Sequence, residues 1–271
     1  MTLPVSVVIP SRNGSALLEE QLPGLLEQEP GEIVVVDDCS EDSTVEMLAE
    51  RYPGVRLLRR TGSPGFCYAV NLGMEAAVHP MLLLLNNDVH PEPGCIRGMA
   101  ELLESSPERT AVLVPRVERP DGTDDGAMEW GFRRGLAFTA PGAGNPYPSG
   151  ACALWRRSAW LKLGGLSSRY APIYWEDTDM GARLALEGMG MERFYGPGAE
   201  HRHAATMGSG EASMRLRERN RFIFMDRWCR SRRMRVSTLL WMPLHLAASA
   251  VRGRRAFIAG YRDFRRWKHG S

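Results

Sequence analysis

The end of one apolar run carries side chains that could hold a metal ion. The run Met81–Leu85 is followed by Asn86, Asn87 and Asp88. One acid and two amides offer hard oxygen atoms, which suit Mg²⁺ or Mn²⁺. An Asx turn at the end of a strand would use the same residue types. Metal binding and turn formation are therefore both open interpretations of Asp88.

Two adjacent acids, Asp37 and Asp38, follow the β-branched run 32–36. Carboxylates at the carboxyl end of a buried strand are placed to accept hydrogen bonds from a ribose or a base. The polar sequence that begins here, DDCSEDST, could instead cap the start of a helix. Nucleoside binding and helix capping are the two interpretations of this pair.

The segment YWEDTDM holds candidates for a general base: Glu176, Asp177 and Asp179. Acids in the first turn of a helix interact favourably with its dipole, which explains them without any catalytic role. Next to Tyr174 and Trp175, however, a carboxylate would be partly desolvated. Desolvation raises the pKa of a carboxyl group and makes it a usable base.

Two histidines, His201 and His203, lie one residue apart after a predicted strand and loop. A pair with this spacing can ligate a metal ion. Its position allows one of the two to join Asp88. Surface histidines without a function are the alternative interpretation.

The elements that would position these groups alternate between strands and helices over the first 88 residues. This alternation predicts an α/β fold with a mostly parallel, doubly wound sheet. Ligands of such sheets bind at the carboxyl ends of the strands, where Asp37, Asp38 and Asp88 fall. We predict strands at 5–9, 32–36, 55–58 and 81–85, and helices at 15–28, 43–51 and 66–77.

The pattern changes in the second half of the chain. We expect the Gly- and Pro-rich stretch 119–148 to be a long, partly ordered loop. The rest of this half should add strands at 112–117, 151–155 and 191–195 and helices at 91–105, 158–163 and 178–187.

Composition narrows the class of protein. The 271 residues are 44% hydrophobic and 24% charged, as in ordinary globular proteins. The five cysteines are scattered and form no C-x-x-C pair, so a zinc site or a disulfide framework is not expected. Neither a signal peptide nor an apolar stretch of about 20 residues is visible. We therefore expect a cytoplasmic protein.

The charge is distributed unevenly, because residues 1–210 hold 18 Lys and Arg against 28 Asp and Glu, whereas 211–271 hold 16 against 4. A basic helix with an aromatic and aliphatic stripe is typical of a segment in a membrane interface. The tail could thus attach to an anionic leaflet of the cell membrane. It could equally pack on the acidic domain or form a homodimer contact. No nucleic-acid partner is expected. The stripe residues are Phe257, Ile258, Tyr261 and Phe264.

Taken in order, seven motifs across about residues 4–208 resemble the family 2 inverting glycosyltransferases of the GT-A fold, in particular their rhamnosyltransferase-like branch. Two positions depart from the family pattern: Arg12 replaces the usual aromatic residue, and Asn86 replaces the first acid of D-x-D. The motifs are VSVVIPSRNG, IVVVDDCSEDST, GFCYAVNLGMEAA, LLLLNNDVHPEPG, GACALWRRSAWLKLGGL, YWEDTDMGARLALEGM and HRHAAT.

This resemblance implies a catalytic domain at 1–210 and a helical, Arg-rich extension at 211–271. Within the domain, 1–90 would bind the nucleotide sugar and 91–210 the acceptor. The implied reaction moves a sugar from a nucleoside diphosphate to a hydroxyl of a polysaccharide, glycolipid or other glycoconjugate of the cell envelope. Members of the family often act on lipid-linked acceptors.

The resemblance also implies roles for individual residues. Asp177, beside Glu176, would be the catalytic base, and Asp88 and His201 would hold Mn²⁺ or Mg²⁺. The acceptor would lie against Trp155, Tyr174 and Trp175. The donor nucleotide would be bound by Pro10, Arg12, Asn13, Asp37, Asp38, Gly65, Phe66, Asn71, Asn87 and Asp88.

Two other functions are weighed against this one. A sugar-nucleotide nucleotidylyltransferase would need a Gly-rich phosphate loop after the first strand, and SRNGSALLEE is a poor version of it. A non-catalytic domain of the same fold need not retain Asp88, Asp177 and His201 together. The absence of G-x-G-x-x-G after the first strand disfavours a dinucleotide dehydrogenase.

Overall fold

The computed structural model describes residues 2–126, 128–202 and 210–270. Its first part alternates strands and helices as the sequence predicts. β1 pairs in parallel with β2 and β4, and β2 pairs in parallel with β3. The elements are β1 (Leu3–Ser11), α1 (Ser15–Leu26), β2 (Pro30–Asp37), α2 (Thr44–Arg51), β3 (Arg56–Arg59), α3 (Phe66–Ala76) and β4 (Met81–Leu85).

The remaining elements complete the sheet and add three C-terminal helices. A short 3₁₀ helix at Ser168–Tyr170 precedes α6. The elements are β5 (Val89–Pro91), α4 (Cys95–Ser105), β6 (Thr110–Val114), β7 (Val117–Glu118), β8 (Met128–Arg133), β9 (Leu136–Thr139), β10 (Asn145–Tyr147), β11 (Cys152–Arg156), α5 (Arg157–Leu163), α6 (Glu176–Leu186), β12 (Gly190–Arg193), β13 (Ala199–His201), α7 (Glu211–Trp228), α8 (Arg232–Val251) and α9 (Arg255–Gly270).

A seven-stranded sheet lies at the centre, in the order β12-β6-β11-β4-β1-β2-β3. Only β11 is antiparallel to its neighbours β4 and β6, so the predicted mostly parallel α/β sheet is confirmed. Both faces are buried. Val7 and Val8 of β1 point to opposite faces and are fully inaccessible to solvent. Burial on both faces explains why the strands read as continuous apolar runs.

The expectation of a long loop at 119–148 is wrong, because this stretch contributes a three-stranded antiparallel sheet of β8, β9 and β10. Arg134 and Gly135 connect β8 to β9, and both have positive φ angles, as a tight hairpin turn requires. Arg-Gly is not among the dipeptides that usually mark such a turn. Trp130 of this sheet packs edge-on against Phe224 of α7, with ring centres 4.9 Å apart.

The aromatic stripe of α9 is buried, which corrects its predicted position in a membrane interface. Phe257 and Phe264 are each 8% exposed. Both rings contact Phe222 of α7, at centroid distances of 5.6 and 5.8 Å. The stripe therefore packs on α7, within the extension itself, and these contacts involve neither the acidic domain nor a second copy of the chain.

The helix α8 has little of its surface covered. Only Met242 and Ser249 are buried along its length. Thr238 and His245 anchor it by hydrogen bonds to the carbonyl groups of Gly135 and Arg134, at 3.1 and 2.8 Å. None of the helices within the described ranges combines the length and the apolar character that crossing a bilayer requires.

Candidate active site

An open cleft of about 710 Å³ lies at the carboxyl edge of β1, β2 and β4. The three strands run in the same direction, so the loops that follow them meet at this edge. Eight of the ten residues predicted to bind the donor nucleotide line the cleft. They are Pro10, Arg12, Asn13, Asp38, Gly65, Phe66, Asn87 and Asp88.

Asp38 fixes one wall of the cleft. One of its carboxylate oxygens accepts a hydrogen bond of 2.6 Å from the backbone N–H of Gly65, at the start of α3. Its other oxygen pairs with Arg60. Asp37 is 1% exposed, accepts a 3.3 Å hydrogen bond from the backbone of Ser40, and does not line the cleft. Of the two predicted acids, only Asp38 is therefore positioned to meet a ligand.

The opposite wall depends on a close approach at Gly14. Asn87 donates a hydrogen bond of 2.9 Å to the hydroxyl of Ser11. A Cβ atom on Gly14 would lie 2.3 Å from that hydroxyl and 2.4 Å from the Asn87 amide nitrogen, so a side chain does not fit there. Arg12 lies at the surface of this wall, and no hydrogen bond or ion pair joins its guanidinium to any described residue.

Asn71 is not brought into the cleft. Its side-chain amide both donates to and accepts from the backbone of Leu166, each bond being 2.8 Å long. These two bonds use one N–H and the carbonyl oxygen of the amide, and they tie α3 to the segment before α6. Asn71 therefore does not line the cleft in this structure, and its contact with the nucleoside stays a prediction.

Asp88 and His201 meet because β5 and β13 are paired. His201 lies opposite Val89 in this antiparallel pair, which brings its ring beside the preceding residue, Asp88. The distance between His201 Nε2 and Asp88 Oδ2 is 3.2 Å. Both side chains are buried, at 9% and 2% exposure. The predicted juxtaposition of these two residues is thus present, whereas His203 lies outside the described residues.

A third residue, Asp125, holds His201 from the other side, and no sequence motif points to it. Asp125 Oδ2 lies 3.0 Å from His201 Nδ1. Arg119 fixes this carboxylate by donating to both of its oxygens, at 2.9 and 2.7 Å. A histidine that binds a metal usually has such a partner on its second nitrogen. This general rule predicts a partner for His201, but it does not say that the partner comes from the loop after β7.

The two carboxylates favour the protonated imidazole. Burial acts to lower the pKa of His201, but hydrogen bonds with Asp125 and Asp88, together with their negative charges, raise it to about 9. A cation at this position is therefore stabilised by the surrounding side chains, whether it is a proton on the ring or a bound metal ion.

The donor atoms of Asp88 and His201 fit a divalent cation. Two ligands in adjacent positions of an octahedral ion, each at about 2.1 Å, lie about 3 Å apart. The observed separation of 3.2 Å matches this. Within the described part of the chain, no three His, Cys, Asp or Glu side chains together are arranged to hold a metal. The protein would therefore supply two ligands to the cation, Asp88 and His201.

Glu176 and Asp177 begin α6 but differ in access. Glu176 is 4% exposed and borders a water-sized cavity with Trp155 and Trp160. One of its carboxyl oxygens has no hydrogen-bond partner among the described residues. Asp177 is half-buried and accepts a 2.6 Å hydrogen bond from the backbone of Thr178. Asp177 is therefore the acid that a substrate can reach more easily.

The pKa values of both acids are raised. Burial is the main cause for Glu176, and the negative charge of Asp177 adds to it. Burial also raises the pKa of Asp177, against the opposing effects of the Thr178 hydrogen bonds and the positive charge of Arg217. A carboxyl group with a raised pKa is a stronger base once it is ionised.

Asp179, the third acid of the segment, is fully buried and saturated with donors. Tyr170 and Arg183 donate to it at 3.1 and 2.8 Å. The indole N–H of Trp228, in α7, donates at 2.7 Å, and Arg227 adds an ion pair at 3.1 Å. Asp179 is therefore a structural link between α6 and α7.

Of the three aromatic residues predicted to contact the acceptor, only Tyr174 reaches the surface. Trp155 is 2% exposed and packs edge-on against Trp160. Trp175 is 6% exposed and packs on Phe224. The sequence indicated aromatic side chains near the acids but could not separate those that form the core from the one that faces solvent.

Comparison with known sequences supplies a family. The chain matches the sequence model of glycosyl transferase family 2 over residues 6–164. It is 30% identical, over 238 residues, to the N-acetylglucosaminyl-diphospho-decaprenol L-rhamnosyltransferase of Mycobacterium tuberculosis (strain ATCC 25618 / H37Rv). That alignment covers 74% of this chain and 76% of the relative.

Comparison with solved structures supplies the fold. The mannosyltransferase PcManGT from Pyrobaculum calidifontis, in complex with GDP-Man and Mn²⁺, has a TM-score of 0.60 at 19% identity, covering 98% of this chain and 83% of that one. GalNAc-T7, solved with UDP, GalNAc and Mn²⁺, has a TM-score of 0.63 at 18% identity, covering 80% and 47%. The chain thus spans less than half of GalNAc-T7. At these identities the similarity shows a shared GT-A fold.

Proposed function

Because the chain belongs to glycosyl transferase family 2 and is a glycosyltransferase with the GT-A fold, we propose that it moves a sugar from a nucleoside diphosphate to an acceptor hydroxyl in one inverting displacement. The observation that carries the proposal is the pair Asp88 and His201, 3.2 Å apart at the end of β4. Asp88 also lines the cleft that holds Arg12 and Asp38.

The donor nucleotide would occupy this cleft. Asp38 is positioned to accept hydrogen bonds from the ribose or base, while Arg12 is free to meet the negative charge of the phosphates. A divalent cation, Mn²⁺ or Mg²⁺, held by Asp88 and His201 would stabilise the leaving diphosphate as a Lewis acid. Asp125 would keep the His201 ring oriented with Nε2 toward that cation.

Asp177 would act as the base. Its half-buried carboxylate would take the proton of the acceptor hydroxyl as the oxygen attacks the anomeric carbon. Attack on the face opposite the leaving diphosphate, with one base and one displacement, inverts the anomeric configuration. Glu176 would border the base without reaching the acceptor, because its side chain is buried beside Trp155.

The acceptor would be a lipid-linked glycan. The name of the mycobacterial relative describes such an acceptor, a sugar joined through diphosphate to decaprenol. The exposed face of α8 supports the same class here. Leu239, Leu240 and Leu244 are 76%, 66% and 58% exposed, and no charged residue lies between Val236 and Val251. A helix of this kind can lie in the interface of a bilayer.

Basic residues flank that apolar face at both ends of α8. Three arginines precede Val236 and three follow Val251, and the whole stretch 227–262 contains no acid. Each arginine near an anionic leaflet contributes about 1 kcal/mol of attraction. We therefore propose that α8 contacts the inner surface of the cell membrane, and that the buried stripe of α9 does not. The arginines are Arg232, Arg233, Arg235, Arg252, Arg254 and Arg255.

The proposal is tested by incubating the protein with a panel of nucleotide sugars, Mn²⁺ and a lipid-linked acceptor. Release of nucleoside diphosphate, with inversion at the anomeric carbon of the product, is the expected result. Release of pyrophosphate from a nucleoside triphosphate and a sugar phosphate would indicate a nucleotidylyltransferase instead. No reaction with any donor would contradict the proposed function.

A further inference from the structure

A basic pocket lies beside α7, opposite the second half of α8 and the start of α9. Its volume is about 660 Å³. Its charged lining comprises four arginines and two glutamates, which gives an excess of two positive charges. The charged residues are Arg217, Arg221, Arg254, Arg255, Glu211 and Glu218.

Arg217 connects this pocket to the catalytic centre. Its guanidinium lies 5.2 Å from the ring centre of Tyr174, the half-buried aromatic residue just before α6. Its positive charge also acts to lower the pKa of Asp177, although burial has the larger, opposite effect. A ligand that binds Arg217 therefore lies within electrostatic reach of the acid to which we assign the role of base.

The acids of the pocket neutralise its cations only in part, because Arg221 pairs with Glu218 at 3.1 Å and two positive charges remain in excess. Burial lowers the pKa of Arg221, and the neighbouring charge of Arg217 lowers it further, while Glu218 acts in the opposite direction. The Nε atom of Arg221 is buried and has no hydrogen-bond partner among the described residues. An anion would relieve the repulsion between the two arginines and could accept the unused hydrogen bond.

One side of the pocket is apolar and leads to α8. Leu136, Met214 and Phe257 line it, together with His245 and Ser249 of α8. The exposed apolar face of α8 lies on the same helix. The pocket therefore adjoins the proposed base through Arg217 and the proposed membrane surface through α8.

From this arrangement we infer that the pocket binds the diphosphate of a lipid-linked acceptor, with Arg217, Arg221 and Arg254 as its cationic ligands. The inference rests on the proposed function and adds the site that recognises the acceptor. In a diphosphate that joins a sugar to a lipid, each phosphorus has one ester bond, one anhydride bond and one negative charge, so the diphosphate matches the excess charge of the pocket. The sugar extends toward Asp177 and the lipid chain toward α8.

The test compares Arg254→Gln with the control Arg252→Gln. Both arginines are exposed and both changes remove one charge, but only Arg254 lines the pocket. Two soluble acceptors carry the same N-acetylglucosamine and the same decyl chain, joined in one by diphosphate and in the other by a direct glycosidic bond. Arg254→Gln should raise KM about tenfold for the diphosphate acceptor alone. Arg252→Gln should change neither KM.

A binding measurement gives a second readout. Decyl diphosphate is titrated calorimetrically into the full-length protein in EDTA, where no metal can draw it into the donor cleft. Its affinity for Arg254→Gln should be about tenfold lower than for Arg252→Gln. Equal affinities for the two variants would overturn the inference. So would equal KM values of the unchanged protein for the two acceptors, although the proposed transfer reaction would then stand.

Discussion

Asp125 lies 3.0 Å from Nδ1 of His201, on the side of the ring opposite Asp88. The two residues are 76 positions apart in the chain. They meet because β13 pairs with β7 on one side and with β5 on the other. The candidate metal ligand is thus oriented by a carboxylate which Arg119 fixes in turn.

The first prediction concerns this contact. Asp125→Ala should weaken Mn²⁺ binding about 10- to 100-fold, because the His201 ring loses the partner that orients it. Binding is followed by electron paramagnetic resonance of free Mn²⁺ in the presence of a saturating nucleoside diphosphate. Asp121→Ala, an exposed acid in the same loop, is the matched control and should bind Mn²⁺ normally. Equal affinities in both variants would leave Asp125 with a structural role.

The second prediction concerns the base. Asp177→Asn should lower the rate of transfer about a hundredfold or more, because an amide cannot take the proton of the acceptor. Donor affinity should change little. Transfer is measured by release of nucleoside diphosphate, and donor binding by calorimetry. An active Asp177→Asn together with an inactive Glu176→Gln would assign the base to Glu176.

The third prediction concerns pH. Burial holds the pKa of Glu176 above its value in the unfolded chain, so the folded state binds more protons between these two values. The stability contribution is therefore complete at low pH and falls as the pH rises through this window. Glu176→Gln should raise Tm at pH 8 by about 2 °C or more and leave it nearly unchanged at pH 4. Calorimetric melting at both values checks this, and equal shifts at the two pH values would contradict it.

The fourth prediction concerns metal removal. EDTA should abolish transfer, and Mn²⁺ or Mg²⁺ should restore it, since Asp88 and His201 are two protein ligands and the donor phosphates complete the shell. Nucleoside diphosphate release is the measurement. Full activity in EDTA would mean that side chains such as Arg12 neutralise the leaving group without a metal ion.

The fifth prediction concerns the membrane. The double change Leu240→Asp and Leu244→Asp should prevent flotation with anionic liposomes at low salt, because it places two negative charges on the exposed face of α8. Binding of the unchanged protein should fall as salt rises. Leu161→Asp, an exposed leucine of α5, is a control that should still float. An unchanged protein that ignores the liposomes would contradict the membrane role.

The bounds of a strand could be predicted where the residues of that strand alone determine them. The strand Met81–Leu85 has the predicted bounds, because an apolar run between Pro80 and Asn86 leaves little choice. The sheet at 119–148 was missed because its turn, at Arg134 and Gly135, has no usual hairpin signature. Without such a signature, the sequence of residues 128–139 does not show where one strand ends and the next begins.

The same limit applies to the candidate site. Residues at the ends of parallel strands, such as Asp38 and Asp88, could be placed because strand direction alone determines where they lie. Trp155 and Trp175 could not, since their burial depends on side chains from other elements. Asp125 is the clearest case, because its role follows only from its contact with His201.

The bond between Asp179 and Trp228 has a consequence for engineering chimaeras of this enzyme. The helix that begins with Glu176 and Asp177 is held from behind by the last turn of α7. A graft that replaced everything after residue 210 would remove this support from the acids together with the tail. A junction at 229–231, between α7 and α8, would exchange the outer helices and leave the helix of the base on its native support.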